Sequence, residues 1–192
     1  MLDTTLLTTI KKDLLSYADK RQKIIADANE ALFHAKRAIF SIHRDDLPES
    51  KKRIDISQKK LRMIHTAYGK DYRALQEGAY KAALEEYVEA VCLYQFLTNG
   101  RIGKITGVKV SSEAYIAGLA DVPGELYRYA IKAATAGDDE TVRACATVAG
   151  SIVEALIECN LTSYLRNKFD QAKSAVHKLE QVVYELSLRG RV

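Results

Sequence analysis

The stretch "AALEEYVEAVCLYQF", residues 82–96, decides how this chain folds. Its apolar side chains recur at three- and four-residue steps, the period of a helix that turns one side to a core. Yet Glu85, Glu86 and Glu89 interrupt it. An isolated ionised carboxylate among Ala, Val and Leu is costly unless something pairs with it. On a wheel of about 100° per residue with Lys81 at zero, Glu85 falls near 40°, Glu89 near 80° and Glu86 near 140°, all rough values. Glu85 therefore shares a side with Lys81, and an i,i+4 pair is expected there. Glu86 and Glu89 fall instead among Ala79, Ala82, Leu93 and Leu97. Two carboxylates three residues apart in such surroundings repel each other unless a cation or a shared proton intervenes.

Helical periodicity extends outward in both directions. A first helix is expected from Thr4 to Ile42, with Leu6, Ile10, Leu14, Tyr17, Ile24, Ala28, Ala31, Leu32, Ala35 and Ile39 on its apolar side. "HRDDLPESKK" ends it, since Pro48 disfavours continuation and Asp or Ser can cap a new start. A second helix is expected over Glu49–His65 and a third, after "YGKD", over Tyr72–Leu97. "TNGRIGKITGVKVSS" reads as a loop. A fourth helix starts near Ser112 and is expected to break at "ADVPGE", where Asp121 can cap a restart with Pro123 in its first turn. Gly137 suits a left-handed stop. A fifth helix follows over Asp138–Glu158, and a sixth from Leu161 to a stop at Gly190. Long helices with short connections predict an all-α, single-domain bundle of six to seven helices spanning residues 1–192. The length and apolar content of the first and last helices predict self-association.

Composition agrees with that class. Of 192 residues, 47% are hydrophobic and 28% charged, with only two prolines, which excludes a disordered chain. No apolar run reaches the roughly 20 residues a membrane span needs, and no secretory leader pattern is present. Cys92, Cys145 and Cys159 have no CxxC spacing and are expected as buried thiols, so a cytoplasmic location is expected. Charge is uneven: residues 1–73 hold 16 Lys and Arg against 10 Asp and Glu, whereas the remainder is slightly acidic. Such a distribution suits an anionic partner held near an acid-bearing site, or simply a solvated helix face. The four histidines form no HxxxH or HExxH, and there is no GxSxG or phosphate-binding glycine motif.

A second acidic pair occurs in "GLADVPGELYRYA", where Asp121 and Glu125 are four apart and share a helical face. Two facing helices that each supply two carboxylates make an oxygen-rich site suited to Mg²⁺ or Mn²⁺, and phosphodiester hydrolysis is chemistry such a site supports. The residues alone leave other roles open. Asp121 can be a helix cap, and Glu125 can pair with Arg128.

At these residues the sequence resembles the translin family, and within it the translin-associated factor X branch. The resemblance is carried by "EEYVEAV" at 85–91, "YIAGLADVPGELYRYAIKAATAGD" at 115–138 and "KLEQVVYELSLRG" at 178–190, with a weaker echo in "AKRAIFSIHR" at 35–44. It implies a bundle of about seven helices that assembles into a hollow barrel of roughly eight subunits and binds single-stranded RNA and DNA. It further implies a Mg²⁺-dependent endoribonuclease, with Glu86, Glu89 and Asp121 matching the catalytic acids and Glu125 a further metal ligand beside Glu89. The alternative within the family is a non-catalytic single-strand binding protein. The loop at 99–111 is shorter than in translin-associated factor X, and the basic nuclear-targeting arm is missing, so assembly with itself alone, as a homo-octamer, is expected. Lys36, Arg37, His43, Arg44 and Arg73 are candidate contacts to the RNA backbone, with Lys70 a weaker one; a solvent face is the competing role for them.

Overall fold

The computed structural model describes residues 2–189. Among them are seven helices and no strand: α1 Thr4–His43, α2 Leu47–Tyr68, α3 Tyr72–Leu75, α4 Gly78–Asn99, α5 Ser112–Ala136, α6 Asp139–Ile157 and α7 Ser163–Arg189. Short polar side chains set most of the starts. Asp3, Asp46, Asp71, Ser111 and Asp138 each accept a hydrogen bond from a backbone N–H in the first turn of the helix that follows. Gly100 and Gly137 end α4 and α5 at φ 70° and 78°, where a side chain would be strained. The stop expected at Gly190 lies outside the described residues.

α1 packs on α2 and α4, α5 packs on α4, and α6 and α7 pack on α5 and on each other. α4 and α5 are thus the seam between the two ends of the bundle, and the core runs through them without a break. α1 contributes Ile24, Ala28, Ala31, Ala35, Ala38 and Ile42, a four-three-four rhythm of mostly small residues that lets its neighbours approach closely. Its first twenty residues behave differently: Leu6, Leu7, Ile10, Leu14 and Leu15 are exposed, although periodicity placed three of them on the inner side. Among the described residues no helix is long and apolar enough to cross a membrane.

Three local expectations are corrected. The helix expected over Tyr72–Leu97 is two helices, because Glu77 leaves the helical conformation (φ −60°, ψ 127°). Its carboxylate is drawn to α1, accepting from the Tyr17 hydroxyl at 2.6 Å and the Arg21 Nε at 3.1 Å. α5, conversely, runs unbroken through Pro123, and Asp121 caps nothing. The proline removes the hydrogen bond to the Leu119 carbonyl and costs about 3 kcal/mol in a helix interior. Burial of Val122, Leu126 and Ala130, each 0% exposed, offsets that cost. Finally, Cys92 and Cys145 are buried but Cys159 is exposed, just beyond the end of α6.

Candidate functional site

The acid pairs meet because α4 and α5 almost touch. A Cβ built on Gly118 would stand 2.3 Å from the Glu85 carbonyl oxygen and 2.7 Å from the Val88 Cβ. Only a residue without a side chain fits there. Ala114 and Ala117, also buried, keep the preceding turn of α5 thin. One turn on, the Glu86 and Glu89 side of α4 faces the Asp121 and Glu125 side of α5.

Glu89 is the centre of the group. It is 8% exposed, and among the described residues its carboxylate accepts no hydrogen bond and joins no ion pair. Burial pushes its pKa up to about 9, and the nearby charges of Glu86, Asp121 and Glu125 push the same way. Glu86 is raised too, chiefly by burial, with Asp121 and Glu125 adding and Lys36 opposing.

The other three acids each have a cation. Lys36 of α1 approaches Glu86 at 3.7 Å. Lys168 of α7 binds Asp121 and lies 3.5 Å from Glu85. Burial alone would lower the pKa of Lys168, but its bond to Asp121 outweighs this and raises it. His43 and Arg128 both bind Glu125, the latter at 3.0 Å. Burial would raise Glu125, but those hydrogen bonds hold it below the usual carboxylate range. The pair expected between Lys81 and Glu85 does not form; Glu85 instead accepts from the Tyr164 hydroxyl at 2.7 Å. The four acids share one neighbourhood, close enough for their charges to act on one another. Among the described residues no three Asp, Glu, His or Cys side chains stand close enough to ligate one ion as they are.

The basic candidates divide. Lys36 and His43 reach the acids from α1, while Arg37 on the outer side of the same helix and Arg44 at its C-terminal cap are exposed. Arg73 is elsewhere: it donates to Asp13 at 2.8 Å and lies 4.4 Å from the centroid of the Tyr17 ring. Sequence reasoning missed Lys168, Tyr164 and Gly118. No local pattern marks Lys168, which lies 47 residues from Asp121. Gly118 did leave a signal, a glycine in mid-helix beside the alanines of "AYIAGLA".

A family model described as "Translin family" matches residues 19–190. The chain belongs to the translin family. Among curated relatives it is 25% identical over 203 residues to the translin-associated protein X homolog of Schizosaccharomyces pombe, covering 94% of this chain and 87% of that protein. It is 23% identical to translin-associated protein X of Rattus norvegicus, covering 95% of this chain and 77% of that one. Translin of Gallus gallus is 30% identical over 125 residues, which are 60% of this chain and about half (53%) of that protein. Two solved structures share the fold: apo-NeC3PO, with a TM-score of 0.83 at 23% identity over 96% of this chain and 97% of that one, and AfC3PO in a complex with duplex RNA, with a TM-score of 0.85 at 23% identity over 95% and 97%.

Proposed function

We propose that this chain is a Mg²⁺-dependent endoribonuclease, with Mn²⁺ as a substitute, that cleaves single-stranded RNA inside a hollow homo-oligomer of about eight subunits. The observation that carries the reading is Glu89, a buried carboxylate without a partner, close enough to three other acids to feel their charge. A structural carboxylate in that position would be expected to have acquired an arginine or lysine.

The donor set suits the ion: carboxylate oxygens throughout, on two packed helices, with one of them lacking any cation among the described residues. Glu89, Glu125, Glu86 and Asp121 would hold it, in exchange for the ammonium groups of Lys36 and Lys168. Once bound, such an ion offsets phosphate charge and makes a water acidic enough to act as a nucleophile. Glu86, with 21% of its side chain exposed and a raised pKa, would take the proton of the attacking water, a role its partial exposure and raised pKa support. Glu89 and Asp121 would hold the ion from α4 and α5 respectively. Lys36 and His43, already at the rim, meet the phosphate. Support for an RNA substrate comes from the AfC3PO complex with duplex RNA. Support for self-association comes from the exposed apolar residues at the start of α1.

A second reading rests on a specific observation as well. Three of the four acids are already neutralised by cations of the chain itself. On that basis the chain binds single-stranded RNA or DNA without cutting it, and the acids tie α1 and α7 to the α4–α5 seam. The deciding experiment incubates labelled single-stranded RNA with wild type and with Glu86→Ala/Glu89→Ala. Cleavage that needs Mg²⁺, stops with EDTA and vanishes in a variant still able to bind RNA supports the nuclease. Equal binding by both proteins with no cleavage establishes the binding protein instead.

A further inference from the structure

Beside the acids, the outer face of α1 carries two aromatic rings that stay half exposed, Phe33 touching only the edge of His34 and Phe40 lying beside two arginines. Phe33 is 55% exposed and Phe40 47%, while Ala31, Ala35 and Ala38 on the opposite side of the same turns are fully buried. Positions 33, 37 and 40 follow a four-three spacing and so form one stripe along the helix, which Arg44, capping its end, continues by lying beside Phe40. The Arg37 guanidinium lies 5.5 Å from the centroid of the Phe40 ring, and that of Arg44 lies 5.7 Å away. Among the described residues neither arginine joins an ion pair, in contrast to Arg73, which is held by Asp13. The stripe borders the acid cluster directly. Lys36 on the next column reaches Glu86, and His43, one residue before Arg44, binds Glu125.

Exposed rings interleaved with unneutralised guanidinium groups match a polymer that repeats a flat π-face and a negative charge. A rise of about 1.5 Å per residue sets the two rings roughly 10 Å apart along the axis, which leaves room between them for phosphate beside Arg37. Within a duplex a base has both faces stacked and its edge paired, so such rings are of use only to unpaired nucleotides. We propose that this stripe is a stacking platform for unpaired bases. Phe33 and Phe40 each lie against one base, Arg37 and Arg44 contact the phosphates, and the strand is delivered to the acids with its bases turned away from them. This assignment rests on the RNA-directed function proposed above, and it makes single-strand preference a property of α1 rather than of the acid site.

Fluorescence anisotropy in EDTA, where no strand is cut, tests it with three probes: a labelled oligouridylate, the same oligomer made abasic, and its duplex with a complementary strand. Wild type should bind the oligouridylate more tightly than the other two. Phe33→Ala/Phe40→Ala should weaken oligouridylate binding about tenfold or more and leave the abasic probe unchanged. Phe33→Tyr/Phe40→Tyr should keep the wild-type preference. Arg37→Gln/Arg44→Gln should weaken the oligouridylate and abasic probes alike and flatten the salt dependence. The proposal is overturned if the double alanine variant binds like wild type, or loses the abasic probe equally. It is also overturned if light scattering shows that variant to have a different subunit number, which would make the stripe a contact between copies. Wild type binding none of the probes would remove the RNA-directed function itself. Loss of Mg²⁺-dependent cleavage with an intact base preference would remove the nuclease alone.

Discussion

Replacing Glu89 by Gln should make the metal-free protein more stable, and increasingly so as pH rises. Folding lifts the Glu89 pKa from 4.5 to about 9. Below pH 4.5 the group is protonated in both the folded and unfolded states and contributes nothing. Above that, the unfolded chain releases the proton while the folded chain retains it, so stability falls with each unit of pH until the folded group also ionises near 9. At about 1.4 kcal/mol per unit, the cost is about 3 kcal/mol at pH 7 and about 6 kcal/mol beyond pH 9. Glutamine keeps the shape of the protonated acid and cannot ionise. In a domain of this size about 3 kcal/mol corresponds to roughly 6–12 °C in Tm. The assay is thermal or urea denaturation of both proteins in EDTA at equal protomer concentration, at half-unit steps from pH 4.5 to 8.5. Subtracting one curve from the other isolates Glu89 from groups that titrate in both. The variant should gain steadily over wild type across that window, and Mg²⁺ should then close the gap by raising wild type only. A difference that stays flat with pH, or a wild type more stable than Glu89→Gln at pH 8, would refute the claim that this carboxylate is buried without a partner.

The helix seam gives another test. Gly118→Ala puts a methyl group against the Glu85 carbonyl, so it should cost about 1–3 kcal/mol and reduce RNA cleavage. Gly150→Ala, where a Cβ meets nothing within 4 Å, should be neutral or stabilise by up to about 1 kcal/mol; similar losses in both would show that the close approach is not what matters. Lys168→Met leaves Asp121 and Glu85 without their ammonium. It should lower stability by about 2 kcal/mol and enlarge the Tm increase on adding Mg²⁺, and an unchanged Mg²⁺ response would mean that ion and ammonium do not compete. Thiol labelling of the native protein should modify Cys159 promptly. Cys92 and Cys145, whose pKa values burial pushes up to about 12, should react only on unfolding.

Periodicity and capping chemistry were enough to read most of the secondary structure, because both act within a turn or two of the chain. The extent of α1, an aspartate cap before α2 and the left-handed stop at Gly137 all follow from neighbours in sequence. So do the two acid pairs, since spacings of three and four residues define a helical face whatever lies opposite. Where the local reading failed, a distant group had overruled it. Tyr17 and Arg21 draw Glu77 out of what would have been one helix, and burial on several sides carries α5 through Pro123. The partners of the acids are equally invisible in sequence. Lys168 is 47 residues from Asp121, and His43 is 82 from Glu125. Spacing alone thus determined which carboxylates lie on a common side of each helix. Only the packed structure decided that three of them are neutralised and that Glu89 is left alone, because desolvation and ion pairing depend on what surrounds a side chain in space and not on what precedes it in the chain.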